Sequence, residues 1–157
     1  MRALITIIAL SFVGLSAGCG GPAENATVPT AEPAGASFVD VGDYIVHFSA
    51  QSTDQLPPEV ARAYNIVRSK NRAMLNVSVL EKGTNTPVTA EVSVKTVNLT
   101  GQMKNVSMRK IEEQEAIYYI GETPVANQET LIFDITVTPE GAEEASEVRF
   151  KRQFYTD

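Results

Sequence analysis

The stretch TLIFDITV, residues 130–137, alternates apolar and polar side chains over most of its length. Successive side chains on an extended strand point to opposite faces, so Leu131, Phe133, Ile135 and Val137 share one face while Asp134 and Thr136 share the other. A helix would spread the same four apolar residues over opposite sides of its circumference. This one period restricts the segment to a strand with one buried face.

The rule recurs along the chain. VTAEVSVKTV places Val88, Ala90, Val92 and Val94 inward, opposite Thr89, Glu91, Ser93 and Lys95. MLNVSVL sets Leu75, Val77 and Val79 against Asn76 and Ser78, and YIVHF sets Tyr44, Val46 and Phe48 against Ile45 and His47. NVSMRKI and AIYYI read as two shorter strands, and EVRFKRQFY groups Val148, Phe150 and Phe154. With turn residues such as KGTNTP between them, these runs predict an all-β fold: an immunoglobulin-like antiparallel β-sandwich of about seven strands. "Immunoglobulin-like" describes architecture only, because the chain lacks the cysteine pair and buried Trp of antibody domains. Each sheet is expected to bury one face and solvate the other. LPPEVARAY departs from the alternation. Pro58 suits a first helical position, Glu59 the positive end of a helix, and Asn65 a left-handed cap. One short helix over residues 58–64 is expected, closing one end of the sandwich.

The N-terminus MRALITIIALSFVGLSAGCG reads as an export signal: Arg2, an apolar run from Ala3 to Val13, then small residues up to Cys19. LSAGC matches a bacterial lipobox, with Ser16 where Leu is commoner. The expected organisation is a lipoprotein signal peptide over 1–18, a lipidated Cys19 with a flexible tether over 19–37, and a β-sandwich domain over 38–157. Lipidation also accounts for a lone cysteine in an exported chain, where it has no intramolecular disulfide partner. Acyl chains, at about 0.8 kcal/mol per buried methylene, anchor such a protein to the membrane. Gly20 stands where Asp would favour inner-membrane retention, so the expected location is the outer membrane, facing the periplasm. The tether GGPAENATVPTAEPAGAS has little apolar surface with which to order itself.

Composition narrows the partners. Without residues 1–18, which carry Arg2, 12 basic and 19 acidic residues remain, a net charge of −7. That balance excludes nucleic acid as a natural partner.

GDYIVHFSA, PPEVARAYNIVRSKNRAMLNVSVL, NLTGQ, AIYYI and the closing FKRQFYTD together resemble an uncharacterised proteobacterial exported family, catalogued only as a domain of unknown function. The resemblance runs from Val41 to Asp157, and RSKNRAMLNVSV is its most specific part. It implies a small exported β-rich domain and transfers no catalytic or binding residue.

Against that background NIVRSKNRAML stands out, with Arg68, Lys70 and Arg72 in five residues. On a strand the three would form a basic stripe; in a loop they would form a less regular cluster. Either could bind a carboxylate, a phosphate or an acidic partner. The competing reading pairs them with the chain's own acids, such as Glu112, Glu113 and Glu115. His47, the only histidine, reads as a polar residue on an outward strand face, since no G-x-S-x-G elbow accompanies it. One histidine and one committed cysteine give no zinc set. PEGAEEASE and EEQE lack the spacing of a calcium loop. Tyr118 and Tyr119 must face opposite ways, one in the core and the other at the surface or bonded to backbone. No catalytic residue, metal site or cofactor is therefore assigned. The expectation is a non-enzymatic envelope lipoprotein, held to the membrane through Cys19, whose domain binds an envelope protein. The alternative is a small anionic-ligand-binding domain using Arg68, Lys70 and Arg72.

Overall fold

The computed structural model describes residues 37–157. The expected signal peptide, Cys19 and nearly all of the tether lie outside the described residues. In chain order the elements are β1 (Phe38–Val41), β2 (Tyr44–Ser52), α1 (Pro58–Ala63), β3 (Arg72–Glu81), β4 (Ala90–Asn98), β5 (Met103–Lys104), β6 (Arg109–Glu112), β7 (Ile117–Pro124), β8 (Thr130–Pro139) and β9 (Ser146–Gln153). They form two antiparallel sheets: β1-β2-β3-β7-β6, called sheet A, and β5-β4-β8-β9, called sheet B. The seven expected strands correspond to β2, β3, β4, β6, β7, β8 and β9, and the structure adds the short β1 and β5.

The strand phases follow the alternation. Leu131, Phe133, Ile135 and Val137 of β8 are fully buried and meet Val46, Phe48, Leu75, Val77 and Val79 from sheet A. Phe150 of β9 stacks on Phe133 and lies 4.8 Å from Phe48 of β2, centroid to centroid, so β9 sits over β2. Tyr119 is the core member of the tyrosine pair, and its hydroxyl accepts a hydrogen bond from Ala90 N at 2.7 Å. The core ring, rather than the outer one, therefore makes the backbone bond, and it ties β7 to the start of β4.

Two expectations need correction. The first concerns NVSMRKI, which is not one strand. Only Arg109–Glu112 pairs in sheet A, and residues 105–108 cross from β5 of sheet B to β6 of sheet A. The crossing puts buried Val106 and half-buried Met108 against Gly121 of β7. A Cβ on Gly121 would lie 2.6 Å from both Met108 Sδ and Val106 Cγ1, so any larger residue there collides with the crossover. An alternating sequence cannot reveal that its apolar residues enter the core sideways from a connection.

The second concerns α1. Helix α1 keeps the expected start at Pro58, and Asn65 follows it at φ 53°. It lies on the outer face of sheet A rather than over the end of the sandwich. Leu56, Ala61 and Ile66 pack there on Met74 of β3 and Ile120 of β7, with Tyr64, Ile111 and Tyr118 around them. Met74 and Ile120 are out of phase with the main core, and their apolar surface requires a cover on that side. Sheet A is thus buried on both faces over part of its width.

Candidate functional site

The basic cluster lies in the loop between α1 and β3, not on a strand. Residues 66–71 are irregular, and only Arg72 belongs to β3. Ile66 anchors the loop in the small outer core, and Ile66 N donates to Ala61 O at 2.7 Å. The buried hydroxyl of Thr53 then fixes its middle. Thr53 Oγ1 accepts from Ser69 N at 2.9 Å and lies 2.8 Å from Val67 O, to which it donates. At the far end Val125 N donates to Asn71 O at 2.9 Å, joining the loop to the turn between β7 and β8. A rigid loop with outward side chains results.

All three cations are exposed, and each has its own acceptor. Arg68 Nη2 donates to Asp54 O at 2.6 Å, and Lys70 Nζ donates to Asp157 O at 2.8 Å. Arg72 Nη1 lies 3.4 Å from Glu122 Oε2. Self-pairing therefore occurs, but not with the acids the sequence suggested. Glu112 accepts from Lys110, and Glu113 accepts from the Tyr64 hydroxyl. The Arg68 acceptor is a backbone carbonyl, which saturates one donor and leaves the guanidinium its charge.

Two surface depressions lie elsewhere on the domain. One surface depression, of about 350 Å³, is lined by residues 113–116. Another, of about 220 Å³, is lined by Ser37, His47, Phe48, Ser49 and Asn76 on the outer face of sheet A. Neither takes a lining residue from the cluster. His47 sits on that outer face as expected, with its ring 5.7 Å from Phe38. Among the described residues, no three His, Cys, Asp or Glu side chains come together in a metal-binding group.

The same end of the domain carries a polar network that sequence reasoning missed. Lys104 of β5 and Glu129, just before β8, form an ion pair at 3.0 Å with side chains only 15% and 10% exposed. Asn98 Nδ2 donates to Glu129 Oε1 at 2.9 Å, and Ala126 N donates to Oε2 at 2.9 Å. Burial pushes the Glu129 carboxyl up, but the hydrogen bonds from Asn98, Ala126 N and Lys104 together outweigh it. Its pKa lies below the ordinary value. Asn98 also organises its own turn, its Oδ1 accepting from Thr100 N and Gln102 N. Asn98 and Thr100 in NLTGQ were a visible turn signal. Nothing in the sequence pointed from them to Glu129.

The comparisons agree with this architecture. The model of a family described as Domain of unknown function (DUF4426) matches residues 38–157. A solved DUF4426 family protein from Pseudomonas aeruginosa is 35% identical, covering 76% of this chain and 94% of that one, with a TM-score of 0.66. A copper-bound variant of FetP from uropathogenic Escherichia coli is 10% identical over 76% of this chain and 89% of its own, with a TM-score of 0.52. At that identity the likeness concerns the fold alone. No match was found among curated proteins. The chain belongs to the DUF4426 family.

Proposed function

From that membership and the geometry above, we propose that this chain is a lipid-anchored envelope lipoprotein whose β-sandwich is a non-enzymatic protein-interaction module. Cys19 at the end of LSAGC carries the lipid, and Gly20 directs the protein to the outer membrane, facing the periplasm. The observation that carries the interaction reading is the display of Arg68 and Lys70. A loop pinned by Thr53 holds them outward, each on its own acceptor and apart from the two depressions described above. A small anion needs several donors converging on one point, whereas a protein surface can meet charges spread along a rigid loop. That contrast favours a protein partner over a small anionic ligand.

Two experiments test the reading. Cys19→Ala is expected to move the protein from the membrane fraction to a soluble or unprocessed form; equal membrane retention would remove the anchor. Combined Arg68→Glu and Lys70→Glu is expected to abolish in-cell crosslinking of the envelope partner. The melting temperature should barely move, because exposed pairs contribute only about 0–1 kcal/mol. Loss of folding in that variant would make the cluster structural instead.

A further inference from the structure

The two sheets are unequal in a way that leaves a place for one more strand. Sheet A has five strands and sheet B has four. The crossover at residues 105–108 aligns β5 with β6, Tyr119 ties β7 to β4, and Phe48 against Phe150 aligns β2 with β9. Counting across from either side, β1 has no strand opposite it in sheet B. Val39 and Val41 of β1 turn their side chains to the main core and remain half-exposed, as does Phe150 at the rim of β9.

The edge beside this place has free backbone groups. Phe154 N donates to Glu129 O at 2.8 Å, one step past the last β8–β9 pair, Thr130 with Gln153. Hydrogen-bonded pairs alternate along an antiparallel ladder, so the even-numbered residues of β9 point their backbone groups at β8. The bond from Glu140 N to Thr89 O at 2.7 Å sets the opposite phase on the β4 side of β8, as this requires. Glu147, Arg149, Lys151 and Gln153 therefore direct their N–H and C=O groups away from the sheet. Among the described residues no strand pairs with them.

We infer that the β9 edge is a strand-addition site that takes an extended acidic segment of a partner protein, completing sheet B opposite β1. Addition of this kind gains affinity from the ladder and specificity from alternate side chains. Charge selects the occupant. Arg149 is paired with Asp134, but Lys151 and Arg152 have no acidic partner among the described residues, in a chain that is acidic overall. Acidic residues on the outer face of the added strand would meet Arg149 and Lys151. Apolar residues on its inner face would cover Val39, Val41 and the rim of Phe150. No antiparallel register of a second copy of β9 pairs both cations with Glu147: setting Glu147 against Arg149 leaves Lys151 opposite Ala145, and setting it against Lys151 puts Arg149 against Arg149, where like charges repel. The preceding residues 20–36 fit poorly too, since Pro22, Pro29 and Pro33 lack the N–H a ladder needs.

This inference rests on the protein-interaction reading and adds the surface and the chemistry of the partner. It is tested on the full chain in lipid nanodiscs with a nine-residue peptide alternating Val with Asp or Glu, read by site-resolved amide hydrogen exchange. The acidic peptide is expected to slow exchange at Arg149, Lys151 and Gln153 by about tenfold or more, as ladder pairing protects amides. The matching Val/Lys peptide should give no protection, and the Lys151→Glu variant should reverse the preference. No slowing at those three amides at millimolar peptide would overturn the β9 site. The interaction reading itself would stand or fall separately on crosslinking through Arg68 and Lys70. Protection without peptide that grows with protein concentration would assign the edge to a second copy. Protection without peptide that vanishes when residues 20–36 are deleted would assign it to this chain. Either result would overturn the inference.

Discussion

The two sheets hold themselves in place by different physics. Sheet A is clamped by apolar burial: α1 and its loops press Leu56, Ala61 and Ile66 onto Met74 and Ile120. Among the described residues sheet B has no such cover, and the row on its outer face that joins Lys95, Asp134 and Arg149 is solvated. What secures its end is the Lys104–Glu129 pair with Asn98 and Ala126 around it. An apolar clamp depends on shape, while an ionic clamp depends on shape and protonation. Their failure modes should therefore separate.

The largest expected effects test where the apolar surface lies. Leu131→Asp buries an unpaired carboxylate in the main core, and Ile120→Asp does so beneath α1; each should cost several kcal/mol, on the order of 4. Ile132→Asp, on the outer face of sheet B, should cost less than about 1 kcal/mol by urea denaturation, as substitutions on a partly exposed face usually do. An Ile132→Asp variant as damaged as Ile120→Asp would erase the distinction between the two outer faces.

Next comes the ionic clamp. Lys104→Ala leaves Glu129 buried without its cation and should cost about 3 kcal/mol. Met74→Ala should follow at about 2 kcal/mol, the low end for a large-to-small change, because Met74 sits at the rim of the smaller core.

The smallest effects are those of pH, and they sharpen the comparison most. The Glu129 pKa is lowered in the fold, so its contribution is present above the ordinary carboxyl value of 4.5 and is lost as pH falls through the folded value. Melting curves of wild type and Glu129→Gln should converge below that point. On sheet A the Tyr64 hydroxyl is raised, chiefly by its hydrogen bond to Glu113. That contribution is present below the ordinary value of 10.0 and is lost as pH rises through the folded value. Acid should loosen sheet B, and alkali the cover of sheet A. Identical pH responses of Glu129→Gln and Tyr64→Phe would refute the separation.

Much of the fold was legible from particular residues. In β8 the inner set Leu131 to Val137 is read directly, because its outer neighbours are polar apart from Ile132. In β3 and β7 the same rule misleads: Met74 and Ile120 occupy the outer phase, and alternation has no symbol for a strand buried on both faces. The position of α1 was therefore not legible, although its start at Pro58 was. The basic cluster was visible as composition. Its acceptors were not, since the Asp54 carbonyl and the main-chain oxygen of Asp157 are main-chain groups that any residue supplies. The free edge of β9 was equally hidden, because a sequence shows strands but not which of them ends a sheet.

The strand order also sets a timetable for folding. β1–β2, β2–β3, β4–β5, β6–β7 and β8–β9 join neighbours in the chain, but each sheet closes only through a distant pairing, β3 with β7 and β4 with β8. Distant pairings give no return until a long loop has been closed, so chains built this way fold in milliseconds to seconds rather than microseconds. Gly121 adds a steric condition, because β7 pairs with β3 while the crossover seats Val106 and Met108 over it. Gly121→Ala is expected to slow refolding measured by stopped flow, because its Cβ would press on Met108 and Val106 as the crossover seats.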